Sequence, residues 1–454
     1  MPINISYIQS QLNAGKISTH QLIKNCLDKI QDINGQGAKA FLAIDEKGAL
    51  ATADAQDILR NASLPVGPLA GVTISIKDLF DVLDQVTGSG SRVLHSNPPA
   101  TKDAHVVAKL REAGSILIGR TNMTEFAYSG LGVNPHFGTP LNPFERDVQR
   151  IPGGSTSGGA VSVSDEMVSV ALGSDTGGSC RIPAALCGLV GYKSTASRYS
   201  MEGVLPLSGS LDSIGVIASS VDCCQRVDVV MSGRNYAINH NIEARDIRMG
   251  VLRNIVLSGM DEYVEHAYLE ALDILISAGI HANKVDSNAV SQVIDLQGQP
   301  KIVSAEAFAG LEKVISISLP EIDPRVSSRV LKGREVSSAA YIQTVSMRAK
   351  LISMWEDEFA SDDIWIMPTV PVIAPKLIDL NDDDEYFRLN GLLLRNPGIF
   401  NFLDGCAISI PCQTLNSAPV GLMLVAPGGN DEKLLSIASL FEDIFSKFMD
   451  RPSR

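Results

Sequence analysis

The sequence predicts a layered α/β fold, because segments with the period of a strand alternate along the chain with segments of helical period. In VTISIK, residues 72–77, apolar and polar side chains alternate as on a strand with one apolar face. The segment DAHVVAKLREAGSILIGR predicts a helix that ends at Gly114, followed by a short strand over 116–118. Near the end of the chain, APVGLMLVAP predicts a strand, and residues 430–448 predict the helix that follows it.

The other elements are predicted from the same periodicities. Residues 4–34 carry apolar positions at helical spacing and predict two amphipathic helices, the second capped by Ser18 or Thr19. Residues 43–60 are also predicted to be helical, whereas residues 128–158 predict a long loop rich in Gly, Pro, Asn and Ser. VSVAL at 168–172 predicts a strand, and DIWIMPTVPVIAP at 363–375 predicts a buried strand that ends in a proline-rich loop. EYVEHAYLEALDILISAGI at 262–280 predicts a further helix.

The composition favours a globular protein that acts on a small molecule. The 454 residues are 45% hydrophobic and 20% charged, and 38 Lys and Arg against 51 Asp and Glu give a net charge of −13. This balance argues against a nucleic-acid surface, which needs a basic stripe. The seven cysteines form no CxxC pair, which indicates buried thiols in a reducing compartment rather than a disulfide framework.

The N-terminal segment and the apolar runs indicate where the protein acts. The first residues lack the basic and apolar regions of a signal peptide. No apolar run approaches the ~18 residues that a membrane helix needs. We therefore expect a soluble, cytoplasmic protein without a membrane partner and without direct contact to nucleic acid.

Two glycine-rich runs, IPGGSTSGGA at 151–160 and GSDTGGSCRIPA at 173–184, are the candidates for chemistry. GGSTSGGA has no Lys or Arg and neither run contains GxGxxG, which argues against a phosphate-binding loop. A lipase-type GxSxG elbow fails because Arg181, not Gly, lies two positions after Ser179. The seven His residues show no metal-binding spacing, so we expect neither a metal nor a cofactor. For either run alone, a structural Gly/Ser turn stays open.

The second run has the pattern of an acyl-transfer site. It lies between a strand-like segment and a possible helix start, where several backbone N–H groups can point toward one position. Ser179 directly follows Thr176, Gly177 and Gly178. A hydroxyl beside converging amides can attack a carbonyl while the amides hold the developing oxyanion.

A serine nucleophile needs a base, and the residues alone leave that base open. His105 and His136 are possible, but no local motif supports either of them. Lys77 has apolar neighbours along the chain, and burial lowers the pKa of a lysine so that a neutral amine becomes available. The alternation of its strand alone, however, favours a Lys77 that faces solvent.

Eight regions of the chain, in order, resemble the amidase signature hydrolases. They are PLAGVTISIKDLFDV, GRTNMTEFAYSG, FGTPLNPF, IPGGSTSGGA, GSDTGGSCRIPAALCGLVGYKST, GVLPLSGSLDSIG, IMPTVPVIAP and FNFLDGCAISIPC with PVGLMLVAP. The resemblance implies a mixed twisted central sheet covered by helices on both faces. It also implies a single amidase domain over 1–454, with a signature core at about 65–220 and 360–430 and a variable helical part at about 230–350.

The resemblance implies a Ser–cis-Ser–Lys triad. Ser179 corresponds to the nucleophile, Lys77 to the base, and Ser155 to the bridging serine whose peptide bond is cis. The spacing between Ser155 and Ser179 matches that of the family. The common family form is GGSSGG, whereas here Thr156 and then Ser157 follow Ser155. Ser157 is therefore a rival for the bridging role.

The resemblance also assigns the surroundings of the triad. The amides of the family's oxyanion hole correspond to those of Thr176, Gly177, Gly178 and Ser179. Asp175 and Arg181 correspond to a structural charge pair beside it, and residues 127–130 to one wall of the acyl pocket. Cys180 replaces a more usual aliphatic residue, and we expect it only to pack.

Two functions are consistent with the same triad. The first is a stand-alone amidase that hydrolyses a carboxamide C–N bond of a small molecule through an acyl-enzyme on Ser179. The second is the glutaminase subunit of a tRNA-dependent amidotransferase complex. The segment GVLPLSGSLDSIG is more similar to the stand-alone hydrolases, including those that act on biuret and carboxybiuret derivatives. A homodimer stays open.

The resemblance does not name the amide substrate. We expect specificity to come from the variable part, where Arg325, Arg329 and Arg348 could contact a substrate carboxylate. The helical pattern favours the alternative, a solvated helix face, for each of the three.

Overall fold

A computed structural model describes residues 4–448 except 238, 240, 241, 298–300 and 415. The strands are β1 Phe41–Ile44, β2 Thr73–Lys77, β3 Ile116–Thr121, β4 Val170–Asp175, β5 Val190–Lys193, β6 Ser213–Ala218, β7 Arg248–Leu252, β8 His281–Val285, β9 Ile364–Pro368, β10 Cys406–Pro411 and β11 Gly421–Ala426. They form an 11-stranded sheet in the order β1-β3-β2-β4-β6-β5-β10-β11-β9-β7-β8.

The α-helices accompany this sheet. They are α1 Ile5–Asn13, α2 Thr19–Gln31, α3 Gly37–Ala40, α4 Glu46–Asn61, α5 His105–Glu112, α6 Ser157–Ser164, α7 Arg181–Cys187, α8 Val221–Ser232, α9 Glu262–Ser277, α10 Asn288–Gln297, α11 Lys301–Ser318, α12 Pro324–Leu331, α13 Ser338–Phe359, α14 Asp383–Phe402 and α15 Asp431–Phe448. In the described ranges, no helix combines the length and the apolar character that crossing a membrane requires.

The sheet is mixed, because β2 pairs in parallel with β3 and β4, β7 pairs in parallel with β8 and β9, and the other neighbours are antiparallel. A mixed sheet flanked by helices confirms the predicted fold class. Ser18 caps α2 as predicted, since its side chain accepts a hydrogen bond from the Gln21 amide at 3.0 Å. The helix expected over 43–60 begins only at Glu46, because the residues before it pair with β3 as an edge strand.

Side chains on alternate positions of the central strands enter two different apolar clusters. Ile74 and Ile76 of β2 and Leu172 of β4 belong to one cluster, whereas Ala171 of β4 and Ile217 of β6 belong to the other. The period of two along a strand thus places a core on each face of the sheet.

The polar face of β2 is buried as well, which differs from the prediction. Thr73 Oγ1 lies 3.0 Å from Ser169 Oγ, and Ser75 Oγ lies 3.0 Å from Ser162 Oγ in α6. Because α6 covers this face, its hydroxyls bond to protein rather than to water. Lys77 on this face is fully buried too, so the expectation of a solvent-facing Lys77 is wrong.

The region 230–350, expected to be helical, also contributes two strands to the sheet. Within it, β7 and β8 pair in parallel, and β8 is an edge strand. The side chains of His281, Ala282, Asn283 and Lys284 in β8 are exposed. Such a strand carries no apolar alternation in its sequence, which is why periodicity did not reveal it.

The glycines of the first run allow close packing of α6. A Cβ atom on Gly158 would lie 2.2 Å from the Ala40 carbonyl oxygen and 2.7 Å from the Asn122 nitrogen. A Cβ atom on Gly159 would lie 2.8 Å from Thr156 Cγ2. At Gly158 the neighbours are backbone atoms, so α6 has to move before any side chain fits there.

We predict that Gly158→Ala destabilises the protein by about 1–3 kcal/mol, the usual cost of overpacking. Gly310→Ala in α11 is the matched control, because an added Cβ there has nothing within 4 Å. The control is expected to stabilise by roughly 0.5–1 kcal/mol, through the higher helix propensity of alanine. Urea unfolding midpoints measure both effects, and equal shifts in the two variants would contradict the packing argument.

Candidate active site

Two parallel strands bring the glycine run 173–184 beside Lys77. β2 and β4 pair with Ile76 opposite Leu172, so their carboxyl ends lie at the same edge of the sheet. Lys77 is the last residue of β2 and Asp175 is the last residue of β4. The turn that follows Asp175 therefore begins next to the lysine.

The Lys77 side chain is fully buried among oxygens. Its Nζ donates to Ser155 Oγ at 2.8 Å, to Ser174 Oγ at 2.9 Å and to the Ser174 carbonyl at 3.3 Å. Burial lowers the pKa of Lys77 to about 8, because desolvation disfavours the ammonium more than nearby negative groups, including Asp175 and Asp212, favour it. A neutral amine is thus accessible near physiological pH.

The two candidate bridging serines lie in different environments. The Gly154–Ser155 peptide bond is cis, as the resemblance implies, and the Ser155 hydroxyl accepts the hydrogen bond from Lys77. Ser157 is the first residue of α6, and its hydroxyl donates to the Asn122 carbonyl at 3.5 Å. Of the two serines, it is therefore Ser155 that contacts Lys77.

Ser179 lies in the turn after β4 and lines a cavity. Its carbonyl accepts a hydrogen bond from the Thr156 amide at 3.2 Å, which holds the two glycine runs side by side. Within the described part of the chain, no hydrogen bond engages Ser179 Oγ. The hydroxyl is therefore available to a molecule in the cavity.

The amides around Ser179 are not equivalent. The Gly178 N–H donates to Asp175 Oδ1 at 2.8 Å, so it is not available to a substrate oxyanion. The prediction for Gly178 is wrong in this respect, because the carboxylate at the end of β4 takes that amide. The amides of Gly177 and Ser179 donate to no acceptor among the described residues, and both residues line the cavity with Thr176.

The predicted charge pair beside the turn is present. Arg181 Nη2 donates to Asp175 Oδ1 at 2.8 Å and Nε donates to Oδ2 at 3.1 Å, and both side chains are fully buried. Asn401 Nδ2 donates to the Asp175 carbonyl at 2.8 Å. The guanidinium holds the pKa of the Asp175 carboxyl well below its usual range, although burial opposes this. The ionised carboxylate fixes the turn that carries Ser179.

Two further polar groups near Lys77 and the turn escaped the sequence reasoning. Ser174 contributes two of the three oxygens around Lys77, and only the pairing register of β2 with β4 shows this. Asp212 accepts from Thr176 Oγ1 at 2.5 Å, and burial raises the pKa of its carboxyl to about 6. The signal for Asp212 was its place in GVLPLSGSLDSIG, a segment used only for the resemblance.

The candidate histidine bases lie elsewhere. His136 Nε2 is 3.1 Å from Glu125 Oε1, and His105 is the first residue of α5. Neither residue is among the described residues that line the cavity beside Ser179.

The cavity beside Ser179 has a volume of about 330 Å³. One wall is formed by Ala127, Tyr128 and Ser129, in agreement with the wall predicted at 127–130. Other lining residues belong to α11, α12, α13 and α14 and include Arg329 and Asn390. A cavity of this size accommodates a small organic molecule.

The three arginines of the variable part have different roles. Arg325 Nη2 pairs with Asp383 at 2.7 Å, and Arg348 Nε donates to the Phe402 carbonyl at 2.7 Å. Arg329 lines the cavity and stacks on Tyr128, with its guanidinium carbon 4.1 Å from the ring centroid. The expectation of a solvated helix face is therefore wrong for Arg329, because α12 packs against the loop that carries Tyr128.

Comparison with known proteins identifies the family of the chain. The Amidase family model matches residues 21–435. The chain is 32% identical over 403 residues to 2-amino-5-chloromuconic acid deaminase of Comamonas testosteroni, covering 88% of this chain and 87% of that protein. It is 28% identical over 488 residues to a glutamyl-tRNA(Gln) amidotransferase subunit of Natranaerobius thermophilus, covering 100% of this chain and 97% of that protein.

A solved structure has the same fold. A crystal structure of amidase aligns with a TM-score of 0.86 at 26% identity, covering 97% of this chain and 98% of the other. The family match spans the strands, the glycine runs and the cavity described above. The chain belongs to the Amidase family and is a hydrolase that acts on amides.

Proposed function

We propose that this protein hydrolyses the carboxamide C–N bond of a small molecule through an acyl-enzyme on Ser179. The observation that carries the proposal is the hydrogen bond between Lys77 Nζ and Ser155 Oγ at 2.8 Å. It joins a buried lysine of lowered pKa to a hydroxyl in the run that packs against the turn of Ser179.

The surroundings of Lys77 suit a neutral amine. Such an amine has two N–H bonds and one lone pair, and three oxygens surround Nζ. We assign the two N–H bonds to the hydroxyl and the carbonyl of Ser174, so that the lone pair points at Ser155. Ser174 is then a positioning residue, because it orients the lone pair without touching the substrate.

The first half of the reaction forms an ester. Lys77 takes the proton of the Ser155 hydroxyl, Ser155 takes the proton of Ser179, and Ser179 Oγ attacks the amide carbonyl. The amides of Gly177 and Ser179 hold the oxyanion. When the C–N bond breaks, the proton returns from Lys77 through Ser155 to the leaving nitrogen.

The second half releases the acid. Water attacks the ester carbonyl while its proton passes to Ser155 and from there to Lys77. Collapse of the intermediate breaks the bond to Ser179 Oγ, which recovers a proton by the reverse path. The products are a carboxylic acid and ammonia or an amine.

A glutaminase subunit is the second candidate, because the Natranaerobius thermophilus relative has the name of an amidotransferase subunit. Glutamine carries an ammonium in addition to its carboxylate. Of the described residues that line the cavity, none is Asp or Glu. An ammonium would therefore find no carboxylate partner there, which favours a stand-alone amidase over a glutaminase.

We predict that the purified chain alone releases ammonia from small amides. Ser179→Ala is expected to lower kcat by about 10³-fold or more, because the attacking hydroxyl is lost. A coupled ammonia assay over a panel of amides, glutamine included, measures this. The stand-alone function would be refuted if turnover, including that of glutamine, required added partner subunits.

The bridging role is tested by a pair of neighbouring serines. Ser155→Ala is expected to lower kcat/KM by about 10²–10⁴-fold, the usual contribution of a positioned proton-transfer group. Ser157→Ala is the matched control and is expected to change kcat/KM by about threefold or less, because its hydroxyl makes one long hydrogen bond. Equal losses in the two variants would show that Ser157 shares the role. Thermal melts of both variants exclude loss of folded protein as the cause.

A further inference from the structure

The short segment from Leu207 to Leu211, LSGSL, is part of the cavity wall, and its side chains alternate between two surroundings. Leu207 and Leu211 line the cavity. Between them, the hydroxyls of Ser208 and Ser210 donate to the carboxylate of Glu306 in α11, that of Ser208 at 2.6 Å. The LSGSL segment therefore has an apolar side at the cavity and a polar side that is bonded to α11.

Two carboxylates hold the LSGSL segment, which lies between β5 and β6. In the described ranges, none of its residues pairs with a strand. The amides of Leu207 and Ser208 donate instead to the side chain of Asp212, at 2.9 Å and 3.0 Å. The amide of Ser210 donates to Glu306 at 3.0 Å. The position of the segment therefore depends on one carboxylate beside β6 and one on α11.

The carboxylate of Glu306 accepts four hydrogen bonds. Its Oε2 accepts from Ser208 Oγ and from the Ser210 amide, and its Oε1 accepts from Ser210 Oγ and from the hydroxyl of Tyr341 in α13. Burial by itself raises the pKa of Glu306, but these hydrogen bonds outweigh it and hold the pKa below its usual value. Hydrogen bonds to an ionised carboxylate are roughly twice as strong as those between neutral groups, so this contact fixes the segment firmly.

The helices that meet at Glu306 also contribute to the cavity wall. On α11, Ile302 lies four residues before Glu306, which places the two side chains one helical turn apart. On α13, Thr344 lies three residues after Tyr341. Ile302 and Thr344 both line the cavity. Glu306 therefore joins three parts of the wall, namely the LSGSL segment, α11 and α13.

We propose that Glu306 is a positioning residue for substrate binding, which fixes the LSGSL segment so that Leu207 and Leu211 present a defined apolar surface to the amide substrate. The inference rests on the proposed amidase function and adds a residue outside the reacting groups. Glu306 is not among the described residues that line the cavity, so it acts through the two leucines. Its loss weakens binding of the substrate and leaves the chemical step almost unchanged.

Amide hydrogen exchange tests the contact without any substrate. In Glu306→Gln the one remaining carbonyl oxygen cannot accept all four hydrogen bonds. We expect the Ser210 amide of this variant to exchange about tenfold faster or more than in the wild type, measured by nuclear magnetic resonance. The amides of Leu207 and Ser208 bond to Asp212, so they are internal controls and are expected to change by about threefold or less. Equal exchange at Ser210 in the two proteins would overturn the proposal.

Steady-state kinetics test the consequence for binding. Ammonia release is followed with butanamide, hexanamide and benzamide, together with any other amide that the wild type hydrolyses. Glu306→Gln is expected to raise KM by about 5- to 50-fold, because a wall that is no longer fixed has to be ordered on binding, while kcat changes by about threefold or less. Glu312→Gln removes an exposed carboxylate of the same helix and is the matched control, expected to leave both constants unchanged. A fall in kcat at unchanged KM in Glu306→Gln would contradict the positioning role.

Variants of the donors separate this role from folding and from the proposed function. Ser210→Ala removes one of the four hydrogen bonds and is expected to raise KM by about three- to tenfold. Because it acts through the same carboxylate, the double variant with Glu306→Gln is expected to have the KM of Glu306→Gln alone, and additive losses would overturn the proposal. If Glu306→Gln does not fold, an unchanged KM in both Ser210→Ala and Tyr341→Phe would overturn it as well. A wild type that hydrolyses no amide would overturn the proposed function, whereas exchange at Ser210 would still decide whether Glu306 fixes the segment.

Discussion

The burial of Lys77 is the constraint on which the arrangement at this sheet edge depends. An ammonium withdrawn from water is unfavourable, so the protein surrounds Nζ with three oxygens from Ser155 and Ser174 and lets its pKa fall to about 8. On the same face of β2, Ser75 bonds to Ser162 of α6, the helix that begins two residues after Ser155. The close packing of α6 against Ala40 and Asn122 requires Gly158, whose position leaves no space for a side chain. The glycines of the first run thus act through packing, and their function in our proposal is to let a buried lysine meet a serine.

A second constraint fixes the turn that carries Ser179. The buried Asp175 carboxylate accepts from the Gly178 amide and from Arg181, so one anion both pairs with a cation and holds the backbone. This leaves the amides of Gly177 and Ser179 without an acceptor among the described residues, beside the cavity that both residues line. The edge of the sheet supplies the reacting groups, whereas residues 127–129 and helices α11 to α14 contribute to the walls of the cavity. In our proposal the groups at this sheet edge carry out the reaction.

The sequence predicted those structural elements that depend on a local pattern of residues. Most helices and several strands could be predicted, because hydrophobic period and helix capping are local properties of the sequence. It did not predict the burial of Lys77, because its contacts come from Ser155 and Ser174, 78 and 97 residues further along the chain. It did not identify Ser174 as a partner of Lys77, because that contact follows from the register between β2 and β4. The free and occupied amides around Gly178, and the cavity position of Arg329, likewise depend on contacts between distant segments. Residue identities therefore indicated the chemistry, and tertiary packing decided which atoms are available for it.

The central claim, a neutral amine at Lys77, is tested most directly by nuclear magnetic resonance titration of the Lys77 side chain in protein labelled at lysine. Lys193 is also buried with a pKa lowered to about 8, so the Lys77 signal is assigned by its absence in Lys77→Met. A lowered pKa means that the Lys77 ammonium loses its proton at a lower pH than an ordinary lysine does. We predict a midpoint near 8, with the amine mostly neutral above that pH. A midpoint near the ordinary lysine value of about 10.4 would mean that Lys77 remains an ammonium at physiological pH, and it would contradict the account.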